Sequence, residues 1–118
     1  MIELKKDKEI ILERTAREYF ESANEELQKG RNNSAVVLFF KSLIALTDLY
    51  LYQKTGKTPS SHGDRFATAK NNFPDIYNLL DKDFPFYQDS YSVLMSRELA
   101  EVIREDAEKI AKKAGIKL

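Results

Sequence analysis

Apolar residues recur at helical spacing along most of the chain. Between Ala16 and Leu27 they follow one another at steps of three or four, with charged residues between them. This pattern is typical of an amphipathic α-helix. Gly30 is expected to end the helix, because glycine adopts the left-handed cap conformation at little steric cost. The side chains of 32–34, Asn-Asn-Ser, are then available to cap a second helix.

The second helix is predicted from about Ser34 to Lys54 and is apolar around most of its circumference. Such a helix is either the central element of a bundle or has a second face covered by another subunit. We expect Val36 to Leu51 to present more apolar surface than one short chain can cover, so that a second molecule shields part of it. Lys41 and Asp48 interrupt the apolar run, which favours a buried bundle helix over a membrane span.

Shorter segments and a final helix follow. Ser61 and Asp64 resemble a capping box that opens a short helix. Pro74 opens another short helix, and Pro85 is expected to interrupt the chain again, because its ring clashes with a helix interior. Ser96 is a suitable N-cap for the last helix. Residues 1–118 are therefore predicted to form one all-α domain, an up-and-down helical bundle with three long helices and two short ones.

Composition narrows the function classes. The 118 residues include 19 basic and 19 acidic side chains, so no net field would hold nucleic acid or a membrane surface. Cysteine is absent, which excludes disulfides and thiolate chemistry and suits a cytoplasmic protein. The start, MIELKKDKEIILERTAREYF, has no apolar stretch of the kind that a signal peptide needs. No pattern specifies a metal site or a cofactor.

Two stretches together resemble the HEPN superfamily of small helical-bundle proteins. They are ESANEELQKGRNNSAVVLFFKSLIALTDLYLYQKTGKTPSSHGDR and YSVLMSRELAEVIREDAEKIAKKAG. In that family a helix with a small-residue face ends near a glycine, a strongly apolar helix follows, and an amphipathic helix closes the bundle. The resemblance implies a bundle that commonly forms a homodimer and often works beside a minimal nucleotidyltransferase.

The resemblance also bears on catalysis, because a subset of the family are metal-independent ribonucleases. These carry an arginine, four to six residues and then a histidine near the start of the closing helix. The corresponding stretch here, FYQDSYSVLMSRELAEV, contains no histidine. The nearest similar arrangement is Lys57, four residues and then His62, on an earlier connection, with Arg65 after the histidine. The expected ribonuclease motif is therefore missing from its usual place.

The connection KTGKTPSSHGDRF carries the main chemical candidates. His62, the only histidine, could act as general acid or base while Lys57 and Arg65 hold an RNA phosphate. An anion could instead bind without catalysis at the helix N-terminus, where Lys57, Ser60, Ser61, Gly63 and Arg65 meet. Alternatively, Ser61 and Asp64 satisfy the free N–H groups themselves and the segment is only a turn.

Two further groups of residues are candidates for a subunit interface. Lys41 and Asp48 lie seven residues apart and share one helical face, which is either a polar seam between subunits or an exposed strip. Phe86, Tyr87 and Tyr91 belong to an aromatic cluster that favours core packing or a dimer contact over stacking of nucleic-acid bases.

Two functions follow from these observations. The first is a non-catalytic HEPN-like interaction module, homodimeric, that works with a nucleotidyltransferase or in a toxin–antitoxin or RNA-related system. The alternative is a metal-independent ribonuclease that uses His62 with Lys57 and Arg65.

Overall fold

The computed structural model describes the backbone of residues 2–118 and the side chains of residues 7–118. Within that part of the chain it contains five α-helices and no strand, so the all-α prediction is confirmed. The helices are α1 (Ile2–Gln28), α2 (Asn32–Thr55), α3 (His62–Asn72), α4 (Pro74–Asp89) and α5 (Arg97–Lys113). As predicted, α1, α2 and α5 are the three longest, and α3 and α4 are shorter.

The helix ends follow local sequence signals closely. Gly30 has a φ of 75°, and its N–H donates to the carbonyl of Leu27 while that of Arg31 donates to Glu26. These two bonds form a Schellman motif, which requires a residue in the left-handed region. Ser61 and Ser96 accept hydrogen bonds from the third residue of α3 and α5, as predicted. The predicted side-chain cap of α2 was wrong, because Arg31 is its N-cap and makes no such bond.

α2 is the central element of the bundle, since α1, α5 and α4 all pack against it. Its buried residues include Phe39, Phe40 and Leu46, which lie at the centre of the core. α2 has the length and hydropathy of a membrane span, but most of the apolar stretch is buried within the bundle. The expectation of uncovered apolar surface from Val36 to Leu51 was wrong, because every apolar residue of that stretch is buried or half-buried. The physical reason is that neighbouring helices surround α2 on several sides.

α4 continues through Pro85, so the predicted interruption there was wrong. Proline removes the hydrogen bond to the carbonyl of Asp81 and costs about 3 kcal/mol in a helix interior. The side chains around it compensate, since Phe84, Phe86 and Tyr87 pack against the core cluster. Tertiary packing thus overrides a local breaker.

The longer helices run alternately up and down. Ser90 at the end of α4 lies beside Asn33 at the start of α2, and Gln53 at the end of α2 lies beside Ala114 at the end of α5. α2 is therefore antiparallel to α4 and parallel to α5. α3 packs mainly against α4 and brings its N-terminal turn to the middle of α2, where Arg65 meets Asp48.

Candidate binding groove

A groove of about 360 Å³ lies along α2. α2 forms its floor, α1 forms one wall, and α3 and α4 form the other. Its lining residues combine an apolar floor with a few polar groups: Leu12, Thr15, Tyr19, Phe40, Lys41, Ile44, Ala45, Asp48, His62, Arg65 and Tyr87. A concave, mostly apolar surface with a few convergent polar groups is the usual form of a binding site.

One end of the groove is organised by an ion pair between Asp48 and Arg65. The Nε of Arg65 donates to Oδ1 of Asp48 at 2.7 Å, and Nη2 donates to Oδ2 at 2.9 Å. The two side chains are only 15% and 10% exposed, so the pair is largely desolvated. Two parallel bonds between a planar guanidinium and a carboxylate fix both groups in orientation. The charge on α2 that the sequence left without a partner is therefore neutralised within the chain.

The same guanidinium orients His62. Nη1 of Arg65 lies 2.8 Å from Nδ1 of His62. Because a guanidinium can only donate, Nδ1 is the acceptor and the neutral ring carries its proton on Nε2. The ring also lies against Phe84, with centroids 6.0 Å apart. His62 is thus held from one side by a fixed donor, while the side chain as a whole remains exposed.

The other end of the groove is aromatic and carries a cation, Lys41. The Lys41 ammonium lies 5.9 Å from the centroid of the Tyr19 ring, within cation–π range. Tyr87 stacks on Phe40 with centroids 4.7 Å apart. Its hydroxyl lies 3.0 Å from that of Tyr91, and this hydrogen bond raises the pKa of Tyr87. Counting Lys41 and Arg65 against Asp48, the lining has one excess positive charge.

A loop with exposed apolar side chains adjoins this end. Tyr91, Val93 and Leu94, between α4 and α5, are 74%, 51% and 93% exposed. The loop is held by Asn33, whose amide donates to the carbonyls of Ser90 and Val93 at 2.9 and 2.7 Å. The side-chain oxygen of Asn33 also accepts from the N–H of Met95 at 2.9 Å. The apolar side chains are therefore presented on an anchored segment; below we call Tyr91 to Leu94 the apolar loop.

Sequence reasoning missed the apolar loop and its anchor. Asn33 was assigned to capping α2, whereas its side chain reaches across to residues more than fifty positions away. The sequence analysis gives Val93 and Leu94 no role of their own. Their signal in the sequence is an apolar run, Val93 to Met95, inside the connection between two helices.

The predicted anion-binding residues do not gather at one place. Lys57 lines a separate cavity of about 240 Å³ with Asp64 and Thr68, whereas Arg65 points into the groove. Oδ2 of Asp64 accepts from the N–H of Ser60 at 2.9 Å, and Ser61 Oγ accepts from the N–H of Asp64 at 3.0 Å. These contacts satisfy part of the helix N-terminus from within and place a carboxylate where the anion was expected. Anion binding at Lys57, Ser60, Ser61 and Gly63 stays a prediction.

The predicted interface residues differ in how far they are exposed to solvent. Lys41 is exposed, and Asp48 is paired internally. Phe86 and Tyr87 are half-buried against the core, and Tyr91 is largely exposed. The groove therefore brings together Lys41, Asp48 and Tyr87 with the chemical candidates His62 and Arg65, which the sequence had placed in two separate sites. Within residues 7–118 no cluster of three metal-ligating side chains occurs.

Compared with known proteins, the chain matches no protein-family model, and no curated protein is significantly similar to it.

Proposed function

We propose that this protein is a non-catalytic, HEPN-like helical interaction module that forms a homodimer through its groove and its apolar loop. The observation that carries the proposal is the exposure of Tyr91, Val93 and Leu94 on an anchored loop beside an apolar groove. Three exposed apolar side chains within four residues are unusual for a surface connection, whereas singly scattered ones need no explanation.

A second copy of this chain is the occupant that fits best. The loop adjoins the groove through the contact between Tyr91 and Tyr87. A two-fold axis passing between loop and groove would place the loop of each copy over the groove of the other. Asp89, the last residue of α4, would then be available to pair with Lys41 of the other copy. The equal numbers of acidic and basic residues leave no net repulsion against association.

Light scattering and sedimentation equilibrium test the proposal directly. The wild-type protein is expected to be a dimer at micromolar concentration. Leu94→Lys should make it monomeric, because it replaces the most exposed apolar side chain with a charge at the proposed interface. The matched control is Val102→Lys, which introduces the same charge at an exposed valine on α5 and should leave the dimer intact.

Two results would contradict this proposal. One is a wild-type protein that stays monomeric up to roughly 100 micromolar, a concentration that corresponds to a very weak interface. The other is an equal effect of Leu94→Lys and Val102→Lys, which would mean that the loop has no special part in association.

The HEPN resemblance adds a partner to the proposal. We propose a nucleotidyltransferase protein as the partner of the dimer, in a toxin–antitoxin or other RNA-related system. The test is co-expression with a minimal nucleotidyltransferase, followed by size-exclusion chromatography. A stable complex that survives Val102→Lys supports the partnership, and separate elution of the two proteins contradicts it.

A second candidate function, a metal-independent ribonuclease, is favoured by one observation. His62, Arg65 and Lys41 line the same groove, so a phosphate near Lys41 would lie within the same site as an oriented imidazole. In this candidate Lys41 takes the role that the sequence-based hypothesis gave to Lys57, because Lys57 lines a separate cavity. RNA incubated with the protein in EDTA should then be cleaved by wild type and not by His62→Gln, with the helical circular dichroism unchanged. Equal inactivity of both on several RNAs would remove this candidate.

A further inference from the structure

Two carboxyl groups are buried between α4 and α5. Asp83 of α4 and Asp106 of α5 are both almost inaccessible to solvent. Neither carboxyl oxygen of Asp83 has a hydrogen-bond partner when the group is taken as ionised. An unpartnered carboxylate in a protein interior is strongly unfavourable, so the protonation state of Asp83 needs an explanation.

A proton on Asp83 resolves this conflict. Two carboxylates cannot hydrogen-bond to each other, whereas a protonated carboxyl donates to an ionised one. Burial raises the pKa of Asp83 to about 8, and the hydrogen bond and negative charge of Asp106 act in the same direction. The geometry and the electrostatics therefore agree on a neutral Asp83 near neutral pH.

The surrounding cations select which carboxyl keeps the negative charge. Nζ of Lys82 lies 2.8 Å from Oδ2 of Asp106, and Nζ of Lys109 lies 3.6 Å from Oδ1. This contact raises the pKa of Lys82, first through the side-chain hydrogen bond with Asp106 and then through attraction between the two charges. The same ammonium is 4.0 Å from Asp83. Both cations thus favour the charge on Asp106 and leave the proton to Asp83.

Among residues 7–118, the other elements packed on α4 do not provide a further charge for Asp83. The charged groups that act on it are Asp106, Lys82 and Lys109, from α4 and α5, and Glu105 acts on Lys82. α2 and α3 also contact α4, but Arg65, the buried cation of α3, is turned to Asp48. Loss of the proton would therefore leave two negative charges facing each other in the core.

We propose that Asp83 and Asp106 form a pH-sensitive latch between α4 and α5. While the pair holds a proton, the carboxyls bond to each other and α4 stays docked. When the proton is lost, repulsion between two desolvated carboxylates weakens that docking. α4 carries Tyr87, one wall of the groove, and leads into the apolar loop, so the latch controls how firmly both are held. This inference does not depend on the proposed dimer.

Amide hydrogen exchange measured by NMR, corrected for the intrinsic pH dependence of exchange, tests the latch. In the wild type, protection of the α4 amides around Asp83 should fall as the pH is raised from about 6 to about 9. Because opening of α4 releases one proton from Asp83, protection should fall about tenfold per pH unit until Asp83 is ionised in the folded protein. Asp83→Asn keeps a hydrogen-bond donor toward Asp106 and cannot ionise, so its protection should stay flat. Asp81→Asn removes an exposed carboxylate from the same helix and should behave as wild type.

A second measurement decides the question even if Asp83→Asn does not fold. The ¹³C shift of the Asp83 carboxyl in the wild-type protein should titrate several pH units above the ordinary value of 3.8. An Asp83 carboxyl that is already ionised at about pH 6 would overturn the proposal, because its ordinary value is 3.8 and burial would then have no effect. Parallel loss of protection in wild type and Asp83→Asn would overturn it as well.

Discussion

The Asp48–Arg65 pair offers the sharpest test of how the groove is stabilised. Asp48→Ala leaves the guanidinium of Arg65 largely buried, with His62 as its remaining side-chain acceptor. Removing one partner of a buried ion pair costs 3–5 kcal/mol, and the residual exposure of this pair puts the expected loss at about 3 kcal/mol. For a chain of this size such a loss lowers the melting temperature by roughly 10 °C.

Urea denaturation followed by circular dichroism at neutral pH measures this loss. Asp48→Leu combined with Arg65→Met should recover most of the stability, to within about 1 kcal/mol of wild type, because an apolar pair of similar size needs no charge partner. The matched control is Glu13→Ala, which breaks a half-exposed ion pair with Arg17 on α1 and should cost less than about 1 kcal/mol. An Asp48→Ala protein as stable as Glu13→Ala would refute the reasoning, as would a double variant no better than the single one.

Three further predictions concern stability. The pKa of Asp83 is about 8 in the folded state and 3.8 in the unfolded state. The free energy of unfolding of the wild type should therefore fall by up to about 1.4 kcal/mol per pH unit between about pH 4 and 8, and that of Asp83→Asn should not. Urea midpoints that change in parallel in both proteins would contradict this. Asn33→Ala should cost about 2 kcal/mol and speed exchange of the Met95 amide, since the loop loses its anchor; unchanged exchange would argue against the anchor. Pro85→Ala should raise the free energy of unfolding by about 1 kcal/mol, because it restores a helical hydrogen bond. Thermal melting measures this gain, and an unchanged melting temperature would contradict the prediction.

Sequence reasoning succeeded where structure is determined locally. Caps at Ser61 and Ser96, and the glycine that ends α1, depend on residues within one helical turn, so their patterns are visible in the sequence. The predicted interruption at Pro85 was wrong because packing between helices, not local sequence, decides the structure there. Its local penalty is real, but the aromatic residues beside it gain more from packing on the core than the lost hydrogen bond costs.

In the candidate groove, too, local features could be predicted from the sequence and contacts between distant residues could not. The sequence left Asp48 on either a polar seam or an exposed strip of α2, and it placed Arg65 and His62 in a separate candidate site. It could not show that the partner is Arg65, because seventeen residues and a turn separate the two and the contact depends on how α3 crosses α2. Asn33 was missed because its partners lie in another connection, and no local pattern predicts a contact of that range.

Burial of α2 within one protomer changes where a dimer interface must lie. The proposed dimer would then draw its apolar contact area from the apolar loop and from α2 residues that are half-buried in the groove, such as Ile44. Burying a leucine side chain contributes about 1.5–3 kcal/mol, and a two-fold interface buries Leu94 twice, so Leu94→Lys should weaken the dimer by at least about a hundredfold. Because Asn33 already anchors the loop, little ordering entropy opposes its insertion. Asn33→Ala should therefore weaken association even though Asn33 lies outside the proposed contact, and an unchanged dissociation constant in that variant would show that loop order is irrelevant to binding.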